Sequence, residues 1–153
     1  MGSNRREEGF TLIELMVVVL IIAILIAVAI PTFLGLRRGA HDAAAKTSAV
    51  TALKAAKAIF SSDESYANAT PAELRSAESS VDYVDGGTAS SGSLVVSVDV
   101  PDSSRFVASV FSGSGTCFFL ADDGNGTAYA TLSTGTADCY AANAAVVFGA
   151  SWP

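Results

Sequence analysis

The sequence predicts an α+β protein in which a long N-terminal helix packs on a small antiparallel β-sheet. Two observations indicate this class. Apolar residues and alanine dominate the first 60 of the 153 residues without the alternation of a strand, which favours helix. From residue 61 onward, short alternating segments are separated by turns rich in glycine and serine, as in antiparallel sheets. A chain of this length suffices for one modest domain.

The most apolar segment comprises residues 10–31. Sixteen apolar residues follow one another from Leu15 to Ile30, and Phe10–Ile13 extend this run across Glu14. At about 1.5 Å per residue the segment is roughly 30 Å long, the thickness of a bilayer core. We therefore expect a helix that can span a membrane and that contains one acid, Glu14.

A cleaved secretory signal peptide is the alternative interpretation of this segment. Arg5 and Arg6 would supply its basic n-region. However, the apolar run is long for the h-region of such a peptide, and no A-x-A-like cleavage site follows it, since Pro31 comes next. These features favour a segment that is retained.

Residues 32–60 are expected to continue the helix as an amphipathic segment, so that one helix extends from about Thr11 to Phe60. Alanine, the best helix former, is the commonest residue in this part. The spacing places the larger apolar side chains on one stripe, with Lys46 and Lys54 elsewhere. The stripe contains Val50, Leu53, Ala56, Lys57 and Phe60.

Pro31 lies between the two halves of this predicted helix. Proline removes one backbone donor and crowds the carbonyl of the residue four positions earlier, here Ala27. Gly35 and Gly39 weaken the turns that follow. We therefore expect a kink or a soft segment between Ala27 and Gly39.

Residues 61–153 are expected to form the α+β head. Thr70–Glu73 has the pattern of a capping box with proline at the first helical position, which predicts a short helix to about Ser79. Asp123–Gly126 is typical of a hairpin turn. The C-terminal segment is ambiguous, with a short strand at Ala145–Phe148 as one alternative. Alternating residues predict strands at 94–100, 105–111, 117–123 and 127–133.

Cys117 and Cys139 are the two cysteines of the chain, and both lie in the head. The C-x-x-C spacing of a redox or zinc site is absent, so one disulfide is the favoured interpretation. Such a bond would stabilise the head by roughly 3 kcal/mol. The alternative is a pair of buried free thiols.

The charge is divided unevenly along the chain. Residues 1–9 sum to zero, residues 10–60 to +3 and residues 61–153 to −9, which together give the net charge of −6. A basic stem therefore carries an acidic head, which either steers association between copies or only maintains solubility. The acidic head argues against a nucleic-acid-binding surface, because phosphate binding requires clustered lysine and arginine.

Three further motifs are weak candidates for a functional site. His41, the only histidine, has no base, nucleophile or ligand set near it in the sequence, and we expect it on a helix surface. Asp122–Asn125 offers oxygen ligands for calcium but lacks the spacing of an EF-hand, which favours a plain turn. Asn68 and Asn125 begin N-x-[ST] triplets, which often arise by chance, and a Thr70 N-cap explains the first.

The sequence shows no glycine-rich phosphate loop, no metal-ligand cluster and no catalytic triad. We therefore expect no cofactor, no metal site and no enzymatic activity.

The stretch GFTLIE at Gly9–Glu14, followed by the long apolar run and Pro31, resembles the class III signal of type IV pilins and of related pseudopilins. The resemblance extends over about residues 8–38; beyond them only the layout of long helix, antiparallel sheet and C-terminal disulfide loop is similar. It implies that a membrane prepilin peptidase cuts between Gly9 and Phe10 on the cytoplasmic side and removes the leader, residues 1–9. The peptidase would also methylate the new amine of Phe10, and the apolar run would remain in the product.

The resemblance also implies that Glu14 and Pro31 act in assembly. The Phe10 ammonium and Glu14 would lie one helical turn apart, near the positive end of the helix dipole. By the resemblance, Glu14 meets the Phe10 ammonium of a neighbouring subunit and sets the axial register of an otherwise featureless helix. Pro31 is expected to let the helix bend or unwind as subunits pack. The alternative is that Glu14 only snorkels to the head-group level.

The expected function is that of a structural subunit, similar to a major pilin, of a type IV pilus used for adhesion, motility or DNA uptake. The alternatives are a pseudopilin of a type II secretion system, a minor pilin that binds a ligand, and a membrane-anchored enzyme. Expected partners are identical subunits in a homopolymer, the prepilin peptidase/methylase and the inner-membrane pilus assembly machinery. The chain is expected to be a single-pass cytoplasmic membrane protein before assembly and part of an extracellular surface filament afterwards.

Overall fold

The computed structural model describes residues 9–133, 135–143 and 146–152. Residues 1–8 of the predicted leader, and Ala145 of the alternative C-terminal strand, lie outside these ranges. The chain divides into two compact units, one up to Arg37 and one from Arg38 onward.

Helix α1 comprises Leu12–Asp63, which is 52 residues and close to the predicted bounds. Helical structure is uninterrupted through Pro31 and Gly39, so the predicted soft segment is not a break in the helix. Beside the proline, Thr32 Oγ1 donates a hydrogen bond to the Val28 carbonyl oxygen at 3.2 Å. A bend on assembly stays a prediction.

Helix α2 comprises Pro71–Ala77 and confirms the predicted Thr70 N-cap with proline at the first helical position, whereas the reciprocal half of the capping box does not form, because Thr70 N donates to the Asn68 carbonyl oxygen at 2.8 Å. The Thr70 backbone is extended, and its side-chain oxygen accepts a hydrogen bond from Glu73 N at 3.3 Å. The helix ends slightly before the predicted end at Ser79, because the backbone is already extended at Glu78.

The head contains a five-stranded sheet in the order β1-β2-β3-β4-β5. The four predicted strands are confirmed within one or two residues, and the pairs β2–β3, β3–β4 and β4–β5 are antiparallel. One short strand was not predicted, and it pairs in parallel with β2, so the sheet is antiparallel except at this edge. The strands are β1 (Asp82–Asp85), β2 (Val95–Asp102), β3 (Arg105–Phe111), β4 (Thr116–Asp122) and β5 (Thr127–Ser133).

The C-terminal segment contains a 3₁₀ helix at Thr136–Asp138 and a single antiparallel bridge between Gly149 and Tyr129 of β5. Residues 146–148 do not form a strand. Trp152 packs against Tyr129 with ring centroids 4.5 Å apart, and its Nε1 donates to the Phe119 carbonyl oxygen at 3.0 Å. The end of the described chain is thereby fastened to the sheet.

One face of the sheet packs on the second half of α1. The buried side of the helix is made mainly of alanine, with Ala49 and Ala52 fully buried, because small side chains let the helix approach the sheet closely. Leu53 is buried as predicted, whereas Val50 and Phe60 are only partly buried. The facing sheet residues are Val96, Val98, Phe106, Ala108, Val110, Phe118 and Leu120.

The opposite face of the sheet is covered by the C-terminal segment. Cys117 on β4 and Cys139 form the predicted disulfide, with a Cα–Cα distance of 5.5 Å, and both residues are fully buried. Phe119 and Ala130 pack beside them in a separate small cluster. The disulfide therefore fixes the segment that covers this second face.

Candidate functional site

The apolar part of α1 is an exposed surface. Its large side chains from Phe10 to Leu36 are between 47% and 85% exposed. An 18-residue window of the helix has a mean hydropathy of 3.3, so by length and composition the helix can cross a membrane. A continuous apolar surface of this kind is unfavourable in water and marks a site that a bilayer or another protein covers.

Thr11 and Glu14 form a reciprocal capping box at the start of α1. Thr11 N donates to Glu14 Oε2 at 2.9 Å, and Glu14 N donates to Thr11 Oγ1 at 3.3 Å. The Thr11 hydroxyl also donates to Glu14 Oε2 at 2.6 Å. Two backbone donors that the first helical turn would leave unpaired are therefore satisfied. This role of Thr11 was not predicted, although T-x-x-E before an apolar run is the pattern that indicates it.

The capping box uses only part of the hydrogen-bonding capacity of Glu14. Its Oε2 accepts both bonds from Thr11, whereas its Oε1 accepts none from the described part of the chain. A carboxylate can accept about four hydrogen bonds. Glu14 is also the sole charged residue from Phe10 to Leu36. The geometry thus leaves one carboxylate oxygen available for a cation from outside the helix.

Gly9 and Phe10 precede the helix in irregular backbone, and both are exposed. No atom lies within 4 Å of the position that a Cβ atom of Gly9 would occupy. Phe10 is 85% exposed. The backbone at Gly9 and Phe10 is therefore exposed within the described part of the chain.

Asp122 connects α1 to the hairpin between β4 and β5. It is 1% exposed, and its carboxylate forms an ion pair with Lys57 Nζ at 2.9 Å. It also accepts hydrogen bonds from Tyr66 Oη at 2.7 Å, Thr127 Oγ1 at 2.7 Å and Gly124 N at 3.0 Å. Lys57, which the sequence placed on the apolar stripe, thus extends to a buried acid.

These contacts determine the protonation states of Asp122 and Tyr66, where α1 meets the β4–β5 hairpin. Burial raises the pKa of the Asp122 carboxyl, but the hydrogen bonds from Thr127, Lys57, Tyr66 and Gly124 outweigh burial and hold that pKa below its usual range. Burial also raises the pKa of the Tyr66 hydroxyl, and the nearby Asp122 carboxylate raises it further. The structure therefore holds an ionised Asp122 beside a neutral Tyr66.

The predicted hairpin turn at Asp123–Gly126 is confirmed. The Asp123 carboxylate accepts hydrogen bonds from Asn125 N at 3.0 Å and Gly126 N at 2.9 Å. Gly124 has a φ of +80°, which glycine adopts without strain. Among the described residues, no group of three or more His, Cys, Asp or Glu side chains could hold a metal ion.

A second junction joins α1 to the turn between β3 and β4. Asp42 accepts hydrogen bonds from Ser112 Oγ at 2.6 Å and from Ser114 Oγ. The ring of His41 lies 3.1 Å from the position that a Cβ atom of Gly113 would occupy. His41 therefore lies on the surface of α1, as expected, and is half-buried because its ring packs against this turn.

Each of the comparisons with known proteins covers less than half of the chain. The prokaryotic N-terminal methylation motif matches residues 4–30. The type IV major pilin protein PilA of Myxococcus xanthus is 45% identical over 65 residues, which are 42% of this chain and 30% of that protein. The type IV narrow pilus major component PilA5 of Thermus thermophilus is 40% identical over 70 residues, which are 41% of this chain and 60% of that protein.

The type IV wide pilus major component PilA4 of Thermus thermophilus is 58% identical over 38 residues, which are 25% of this chain and 29% of that protein. The chain thus spans less than two thirds of the length of each of these relatives. No solved structure matches it. The chain thus carries the N-terminal methylation motif, is similar over part of its length to named major pilins, and has a pilin-like α+β architecture.

Proposed function

We propose that this chain is a structural subunit, of the major-pilin type, of a type IV pilus. The observation that carries the proposal is the exposed apolar helix that directly follows a methylation motif and contains one acid. The membrane covers this helix before assembly, and the helices of neighbouring copies cover it in the filament. The head, which has its own core and disulfide, then forms the filament surface.

Processing at the motif comes first. A prepilin peptidase/methylase removes residues 1–9 and methylates the amine of Phe10. The exposure of Gly9 and Phe10, and the match of the motif to residues 4–30, support this step. Because Thr11 N belongs to the peptide bond with Phe10, the bond from Thr11 N to Glu14 remains possible in the processed chain.

Glu14 has two roles in this proposal. Its Oε2 caps its own helix through Thr11, while Oε1 accepts the Phe10 ammonium of a neighbouring copy. An unpaired charge in an apolar filament core would be costly, so the pair forms in one axial register only. The apolar side chains supply cohesion but repeat without a unique register.

Assembly and location follow from this arrangement. The inner-membrane pilus assembly machinery inserts processed copies into a homopolymer, and the chain passes from the cytoplasmic membrane to a surface filament. The region from Pro31 to Gly39 is the segment where the helix bends or unwinds as copies pack. The similarity to named major components favours this function over that of a pseudopilin or a minor pilin.

The test separates the charge of Glu14 from its capping function. Glu14→Gln keeps a capping acceptor and removes the charge, whereas Thr11→Val removes the cap and keeps the charge. We expect Glu14→Gln to accumulate as processed subunit in the membrane with few or no filaments, and Thr11→Val to form filaments. Glu64→Gln, the same change at an exposed acid after α1, is the matched control. Electron microscopy and a blot of the membrane fraction measure both outcomes; normal filament numbers with Glu14→Gln contradict the proposed ion pair.

A further inference from the structure

The hairpin between β4 and β5 presents a triplet that the proposed function does not use. Asn125–Gly126–Thr127 is one of two N-x-[ST] triplets in the chain, and the other is Asn68–Ala69–Thr70. Enzymes that transfer glycans to asparagine require the carboxamide of the first residue and the hydroxyl of the third. The surroundings of the two triplets differ in the structure.

In the first triplet the Asn68 carboxamide and the Thr70 hydroxyl both form hydrogen bonds that stabilise the head. Asn68 Nδ2 donates to Asp63 Oδ2 at 2.7 Å. The Thr70 side chain caps α2 by accepting from Glu73 N at 3.3 Å. A glycosyl donor at Asn68 would have to reach a nitrogen that is engaged by Asp63, and an enzyme that binds the Thr70 hydroxyl would compete with the cap. The structural roles of Asn68 and Thr70 therefore explain why these residue types occur in the first triplet.

In the second triplet the asparagine side chain is free. Asn125 is exposed, and its carboxamide makes no hydrogen bond within the described ranges. The shape of the turn depends on other groups, because Asp123 Oδ1 accepts from the backbone nitrogens of Asn125 and Gly126. The Asn125 carboxamide can therefore be modified without the loss of a contact that holds the hairpin.

The backbone around Asn125 is also accessible. Gly126, the middle residue of the triplet, has no atom within 4 Å of its Cβ position, whereas the Phe60 ring lies 3.4 Å from the Cβ position of Gly124 before the asparagine. The Thr127 hydroxyl donates its proton to Asp122 Oδ2 at 2.7 Å, so its oxygen retains free lone pairs. Few side chains therefore hinder the approach of an enzyme to Asn125, which lies in the turn of the hairpin.

We propose that Asn125 is an N-glycosylation site whose donor is an oligosaccharide activated as a lipid-linked pyrophosphate. The Asn125 Nδ2 attacks the anomeric carbon of the donor, the bond from this carbon to the phosphate oxygen breaks, and the lipid pyrophosphate leaves with the electron pair. The amide loses one proton to the enzyme or to the leaving phosphate. The product carries the glycan through an N–C bond and gains the mass of the glycan less one water.

The experiment uses the full chain from its natural producer. Peptides from the membrane fraction and from sheared filaments are analysed by mass spectrometry with fragmentation that keeps glycans attached. We expect the glycan on the peptide that contains Asn125, and its complete loss in Asn125→Gln. Asn68→Gln is the matched control and should keep the glycan. Because the membrane fraction is measured separately, failure of filament assembly does not affect this test.

Two variants of Thr127 test the requirement for the hydroxyl. Thr127→Ser keeps the hydroxyl, the bond to Asp122 and therefore the glycan, whereas Thr127→Ala loses the glycan. If Thr127→Ala disturbs the fold, Asn125→Gln alone tests the proposal, since the Asn125 carboxamide has no hydrogen bond to lose within the described residues. An unmodified Asn125 in the wild-type chain, or a glycan that persists in Asn125→Gln, overturns the proposal.

Discussion

Replacement of Asp122 by asparagine tests the junction between α1 and the β4–β5 hairpin. Asparagine keeps the shape and one acceptor oxygen, but it removes the charge that Lys57 contacts at 2.9 Å and weakens the bonds from Tyr66 and Thr127. Hydrogen bonds to a charged group contribute about 1.5–3 kcal/mol each, and removing one member of a buried ion pair costs about 3–5 kcal/mol. The Lys57 side chain is 50% exposed and can return to water, which reduces the cost. We therefore expect the free energy of unfolding at pH 7 to fall by about 2 kcal/mol.

Urea unfolding of the full chain in detergent, followed by the fluorescence of Trp152, measures this change. Trp152 is the only tryptophan and packs on Tyr129 and Phe118, so its emission reports the folded head. Asp123→Asn is the matched control, because this neighbouring acid is exposed and asparagine keeps its acceptor oxygen. The control should change the free energy of unfolding by less than about 0.5 kcal/mol.

The difference in the free energy of unfolding between wild type and Asp122→Asn should also depend on pH. The pKa of Asp122 in the folded protein is held below its value in the unfolded chain, which is about 3.9. Its ionisation therefore contributes stability above about pH 4, and this stability is lost as the pH falls through the folded-state pKa. The difference in the free energy of unfolding between the two proteins should therefore become smaller below about pH 4. Equal stability at pH 7, or a gap that is constant with pH, would refute the assigned role of Asp122.

Two further predictions concern the packing of the head. Cys117→Ala should lower the free energy of unfolding by about 3 kcal/mol, measured by urea unfolding, and the folded wild type should show no reaction with a thiol reagent; stoichiometric labelling would disprove the disulfide. Ala52→Leu should destabilise the head by about 1–3 kcal/mol, because Ala52 is fully buried between helix and sheet. Ala58→Leu, on the exposed side of the same helix, is its control and should be nearly neutral.

Features that depend on local sequence were predicted correctly. The apolar run and the alanine-rich segment predicted α1, Thr70–Glu73 predicted the start of α2, and Asp123–Gly126 predicted a hairpin. Each of these depends on residues a few positions apart. The capping role of Thr11 was equally local, and its T-x-x-E pattern could have been found before the structure was known.

The disulfide aside, features that depend on distant residues could not be predicted. Strand β1 has four residues and forms through its pairing with β2, so its own sequence carries little information. The sequence did not indicate which alanines of α1 are buried, because alanine is compatible with either side of a helix. The partners of Asp122 include Tyr66, which is 56 positions away, and only the folded chain brings them together.

The N-terminus of the subunit in assembled filaments tests the proposed function most directly. Filaments sheared from the producing cells should contain this chain as their main protein, and mass spectrometry should find its N-terminal peptide beginning at N-methylated Phe10. The peptide mass decides whether residues 1–9 were removed, independently of any modification elsewhere in the chain. Filaments that contain the chain with its leader attached, or filaments whose main protein is a different chain, would contradict the proposal that it is a processed structural subunit.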